Sequence, residues 1–115
     1  MKANHLIQYI KTKEDDLYPL LTFQLTSMGY HIEKSNLNYL YGQKGSSILL
    51  VAHLDTFYNK DVNQVYYDTK HGILWSPQGI GGDDRCGIFA IMSIVKNIPC
   101  DVLFLSGEEV GGVGE

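Results

Sequence analysis

Two apolar runs without polar alternation, ILLVA at 48–52 and VLFL at 102–105, constrain the architecture more than any other feature of this chain. A strand with one face in water alternates apolar and polar residues. An unbroken run belongs to a strand covered on both faces, as in layered α/β proteins. Between the runs, residues 85–96 carry Ile88, Phe89, Ile91, Met92, Ile94 and Val95, an apolar face wide enough for a helix packed on a sheet. This order predicts an α/β fold, a three-layer α/β/α sandwich on a mixed sheet, with 47–54 and 101–106 as its central strands. At 115 residues the chain has room for a single domain spanning 1–115.

The flanking segments read as additions to that core. Leu6, Ile7 and Ile10 form a short apolar face. Thr12 is placed to cap a second helix with Asp15 and Asp16 in its first turn, and Leu17, Leu20, Leu21, Leu25 and Met28 repeat at helical spacing until Gly29. Pro19 lies inside that pattern, so the helix is expected to start late or bend there. Residues 30–43 predict a hairpin turning at SNLN, 35–38, and residues 64–68 and 72–75 predict a second one near the sheet edge.

Composition excludes several functions. Apolar residues make up 44% and charged residues 19%, a folding composition, and a net charge of −4 with scattered Lys and Arg gives no footprint for nucleic acid. The run at 48–52 is too short to span a bilayer, and the N-terminus lacks a signal-peptide pattern, so no membrane partner and a cytoplasmic location are expected. In a reducing compartment Cys86 and Cys100 read as two buried thiols rather than a disulfide.

Three polar clusters mark successive element ends: His53 and Asp55 after the first run, Asp83 and Asp84 after the glycines of GIGG, and Glu108 and Glu109 after the second run. Ligands in open α/β sheets bind beyond the carboxyl ends of strands. A divalent cation there takes imidazole nitrogen and carboxylate oxygen, and His53, Asp83 and Glu109 offer that mixture. Asp55, two residues beyond His53, faces the same side of an extended segment and can accept the second imidazole N–H. Glu108 is placed to take a proton from a water activated by the metal.

HLD at 53–55, GGDDRCG at 81–87 and SGEEVG at 106–111 resemble, in the same order, the metal-binding motifs of the co-catalytic dizinc exopeptidase superfamily, which includes peptidase T, glutamate carboxypeptidase and acetylornithine deacetylase. The resemblance covers about 47–111, the N-terminal portion of the family's catalytic domain. It implies two zinc ions, with His53 binding one, Asp83 bridging both, Glu109 binding the other, Glu108 as general base and Asp55 tuning the His53 site. The first acid of the pair bridges in the family, which leaves Asp84 to cap the helix or support the ligands; which of the two bridges stays open. The implied substrate is a peptide or N-acyl amino acid. Family members continue for several hundred residues with a further acidic ligand and a late histidine. A chain of 115 residues would give each metal two protein ligands and is expected to bind metal weakly and catalyse poorly unless a completing chain or a homo-oligomer supplies the rest. The alternative is a catalytically inactive peptidase-like module for binding or assembly.

The remaining features favour structural roles. His5, His31 and His71 lack acidic company of the kind His53 has. The glycines before Asp83 could cradle a phosphate, but a dinucleotide fingerprint wants glycine where Asp84 stands, and paired carboxylates repel phosphate. The eight tyrosines suit packing and edge strands, with Tyr39, Tyr41, Tyr66 and Tyr67 able to cover a face that a partner would bury.

Overall fold

The computed structural model describes residues 2–35, 39–55, 64–76 and 82–106. In chain order its elements are α1 (Lys2–Lys11), α2 (Glu14–Ser27), β1 (His31–Ser35), β2 (Tyr39–Gln43), β3 (Leu49–His53), β4 (Tyr66–Asp68), β5 (Ile73–Trp75), α3 (Gly82–Val95) and β6 (Asp101–Leu105).

Helix boundaries follow from where orphan backbone groups find partners. Thr12 does not cap α2: its N–H and hydroxyl both donate to the Gln8 carbonyl, at 3.0 and 2.6 Å, and so finish α1. The residue ahead of α2 is Lys13, which makes no side-chain cap, and the carboxylates of Glu14, Asp15 and Asp16 offset the helix dipole instead. Pro19 sits inside α2, which runs through it from Glu14 rather than starting late. The Asp15 carbonyl that loses its N–H partner to the proline ring belongs to an exposed residue, and Pro19 is exposed as well, so water can take the bond. Gly29, at φ +88°, ends α2 in a Schellman motif in which the Tyr30 N–H donates to Leu25 O and the Gly29 N–H to Thr26 O.

The main sheet is mixed, in the order β1-β2-β6-β3, with β2 antiparallel to β1 and β6, and β3 parallel to β6. The hairpin expected at 30–43 is therefore present as β1 and β2, and β6 is central. The first apolar run is not: among the described residues β3 ends the sheet with β6 as its one neighbour. Register explains the discrepancy. Leu40, Ala52, Val102 and Phe104 share one face and join Leu17, Leu21 and Leu25 of α2 with Ile88, Ile91, Met92 and Val95 of α3 in one core. The opposite face carries Tyr39, Tyr41, Leu103 and Leu105, all half-buried, and Leu49 and Val51, which are 48% and 52% exposed. The run is apolar on both faces, yet the described helices cover only one.

The second hairpin forms a separate two-stranded sheet, β4 with β5. Its turn is organised by Asp68, whose carboxylate accepts the Lys70 and His71 N–H groups at 3.0 and 3.3 Å, and by Gly72 at φ +66°. Cys100 is buried as expected, but Cys86 lies on the exposed side of α3 and both thiols are free. No helix among the described residues is long and apolar enough to cross a membrane.

Asp101 fixes the connection into β3. The backbone N–H groups of Lys44 and Ser46 donate to its Oδ1 at 2.7 and 3.3 Å, and chiefly the Lys44 bond holds the carboxyl below the usual carboxylate range. A folded value below the unfolded one, about 3.9, gives stability that is complete above about pH 4 and lost as pH falls through the lower folded value. Asp101→Asn is expected to lower the Tm at neutral pH and to converge with the unsubstituted chain as pH falls through the lowered folded value. Thermal melts across that range check it.

Candidate functional site

The carboxyl ends of β3 and β6 lie side by side, with His53 paired to Leu105 across the parallel register. The chain leaves β3 through Leu54, whose N–H donates to Leu105 O at 2.7 Å and whose side chain is wholly buried. The same turn brings His53 and Asp55 together. His53 Nδ1 lies 2.9 Å from the Asp55 backbone carbonyl and 3.4 Å from its Oδ1, and both side chains are nearly buried. A carbonyl oxygen can only accept, so Nδ1 carries a proton, and in the neutral ring the lone pair is on Nε2. The Asp55 backbone carbonyl is the nearer of the two acceptors, with its carboxylate behind it. An imidazole locked in this tautomer is the form that ligates a metal, so the chemistry of His53 fits the zinc that the motifs imply.

Asp83 and Asp84 fall within the first turn of α3, which begins at Gly82, so neither is the residue ahead of the helix. Asp84 turns towards the sheet, where its Oδ2 accepts the His53 backbone N–H at 3.2 Å. This contact follows from strand geometry. Bonds from Leu54 N to Leu105 O and from Asp101 N to Ile48 O direct the even-numbered residues of β3 at β6, so the N–H groups of Leu49, Val51 and His53 point off the outer edge. Asp84 closes the last of them.

Gly87 makes that approach possible. A Cβ at this position would lie 2.0 Å from Asp84 Oδ1. Arg85 turns the other way: 4% exposed, it donates from Nε to Leu54 O at 3.0 Å and from Nη1 to Thr12 O at 2.6 Å and to Tyr9 O. Burial lowers its pKa, opposed by the charges of Glu14 and Asp55, and an arginine remains cationic under such a shift. At the end of β6, the Tyr18 hydroxyl of α2 bonds the buried Ser106 hydroxyl. Burial pushes the Tyr18 phenol upward, which keeps it a donor at neutral pH.

Of the residues singled out in the sequence, the structure brings together His53, Asp55 and Asp84. Glu108 and Glu109 lie outside the described residues, as does the side chain of Asp83. Among the described residues no group of three His, Cys, Asp or Glu side chains is arranged to hold a metal. His5 and His31 are exposed, and His71 pairs with Asp68 at 2.8 Å in the outlying hairpin. Sequence reading missed Arg85, Gly87, Tyr18 and Ser106. Two of these left signals: a cation in the first turn of a helix opposes the dipole, and a glycine inside an apolar helix is costly, so each asks for a reason.

No protein-family model matches the chain, and no curated protein does. Solved structures do match. A tripeptidase from Staphylococcus aureus subsp. aureus Mu50 superposes with a TM-score of 0.78 at 19% identity, over 98% of this chain and 38% of that one. This chain has a peptidase T-like fold. The aminopeptidase PepT from Bacillus cereus ATCC 10987 gives a TM-score of 0.73 at 22% identity, again over 98% of this chain and 38% of its own. The motif resemblance and the backbone thus point to the same fold. The chain spans little more than a third of the length of either peptidase.

Proposed function

We propose that this chain is the part of a zinc-dependent exopeptidase or amidohydrolase that carries the first metal ligands and the general base. It would hydrolyse a peptide or N-acyl amide bond once further polypeptide completes the site. The observation that carries this reading is the His53 ring held in the Nε2-ligating tautomer at the carboxyl end of a parallel strand pair. The order of the three motifs and the fold shared with two peptidases support it. His53 would hold one zinc and Glu109 the other, with Asp83 between them. Glu108 would accept and return the proton, and Asp55 would keep the imidazole oriented. Zinc, when bound, would supply Lewis acidity for water and for the scissile carbonyl.

The completing polypeptide would also supply a third layer on the open sheet face, giving the α/β/α sandwich, whether it comes from a longer single-domain chain, a second copy or a separate chain. A cytoplasmic setting accords with the free thiols. Zinc titration against a competing chelator, with amino-acid release from a tripeptide as the activity readout, tests the proposal. His53→Ala is expected to weaken zinc binding by about 100-fold or more, and Glu108→Gln to lower turnover by about 10²- to 10⁴-fold. Zinc affinity indifferent to His53 would sink it. A second reading, an inactive module for binding or assembly, is favoured by the exposed apolar face of Leu49 and Val51. It predicts a folded chain with no Glu108-dependent turnover.

A further inference from the structure

We infer that Arg85 is a positioning residue that sets the tautomer of His53 by clamping the peptide between Leu54 and Asp55 to the end of helix α1. The inference rests on the proposed role of His53 as a ligand, but its geometry stands apart from any metal.

Leu54 has both backbone groups engaged: its N–H goes to Leu105 O at 2.7 Å, and its C=O receives Arg85 Nε at 3.0 Å. That carbonyl belongs to the peptide unit leading into Asp55. Fixing its plane fixes the direction from which Asp55 continues, and the Asp55 carbonyl is the acceptor 2.9 Å from His53 Nδ1. The line of dependence is short: guanidinium, Leu54 carbonyl, Asp55 carbonyl, imidazole proton.

The other side of the fork is anchored too. Tyr9 O and Thr12 O lie at the C-terminal end of α1, where carbonyls lack helical partners and the dipole is negative. A cation buried there satisfies orphan acceptors while gaining from the dipole, which accounts for a charged side chain that is only 4% exposed. Only a planar fork reaches Leu54 O on one side and the α1 carbonyls on the other. Lysine presents one nitrogen on a flexible stem and cannot hold both sides in one geometry. The GGDDRCG segment thus contributes two backbone restraints to the β3 end: Asp84 on the His53 N–H and Arg85 on the Leu54 carbonyl.

The test uses the full chain labelled with ¹⁵N and ¹³C, free of metal. Long-range ¹H–¹⁵N spectra read the tautomer of each histidine, with His5, His31 and His71 as internal controls. In the unsubstituted chain His53 is expected to be almost wholly Nδ1–H, and Arg85 Nε–H to be protected from solvent exchange by at least about 100-fold, with a through-bond coupling to the Leu54 carbonyl carbon. In Arg85→Lys and Arg85→Met, the Nε2–H form of His53 is expected to rise at least several-fold while the three controls stay put, the conservative variant moving less. General loosening of the core would not single out His53. An unchanged His53 tautomer in either folded variant overturns the inference. If both variants fail to fold, the unsubstituted chain decides: an Arg85 Nε–H exchanging as freely as in a peptide overturns it, and a protected, coupled one supports it. Zinc titration of the same samples separates the two ideas, since failure to bind zinc counts against the proposed function and leaves the tautomer result standing.

Discussion

Phe104→Ala is expected to bring the chain close to its unfolding midpoint at 37 °C. Phe104 is fully buried on the central strand β6, flanked across the sheet by Leu40 of β2 and Ala52 of β3. The small neighbour matters. Alanine at 52 is too short to reach across, so truncating Phe104 opens a cavity that this neighbour cannot close. A buried Phe→Ala change costs about 3–5 kcal/mol, and a domain of this size has a total stability at the low end of about 5–15 kcal/mol. The Tm should fall by roughly 15–25 °C, measured by circular dichroism melts. Ala52→Leu alone is expected to overpack and destabilise by about 1–3 kcal/mol, and in the Phe104→Ala background to recover part of the loss. If the two changes simply add, the ring does not sit where the register puts it.

Gly87→Ala carries the second large effect, with a sign that depends on Asp84. In isolation the change should stabilise a helix by about 1 kcal/mol. Here the new methyl would lie 2.0 Å from Asp84 Oδ1, so the carboxylate must move by more than an ångström and release the His53 N–H, which it holds at 3.2 Å. Losing a hydrogen bond to a charged acceptor costs about 1.5–3 kcal/mol, giving a net destabilisation of about 0.5–2 kcal/mol. In an Asp84→Ala background the obstruction is gone and Gly87→Ala should become stabilising by about 1 kcal/mol. Denaturant unfolding of the four chains measures this reversal. Equal effects in both backgrounds would show that Asp84 does not need the space above Gly87.

The sequence made some of this legible and hid the rest for identifiable reasons. Apolar runs disclosed β3 and β6 because both strands are apolar on two faces and so lack alternation, and the HLD spacing disclosed the His53–Asp55 pair because residues two apart share a side. Periodicity cannot say what covers a strand, so the same run that revealed β3 also suggested a central position, whereas the described helices lie on one face only. Caps were misread where one residue had two possible partners: Thr12 looked forward to α2 and bonded back to α1. Arg85 was invisible as a clamp because its partners are backbone carbonyls, which have no sequence signature. Asp84 was read as a helix cap or supporting acid, and the contact it makes, with an outward strand amide, depends on a register that emerges only after folding.

Between Ser47 and His53 the outer row of β3 carries no charged side chain and no proline, and Asp84 obstructs it only at its final amide. Among the described residues, no charge within that row keeps two copies of this strand apart. Handled alone, the chain will have a solubility governed by dilution far more than by ionic strength, and a carboxylate placed midway along that row would act as a guard against fibrous stacking.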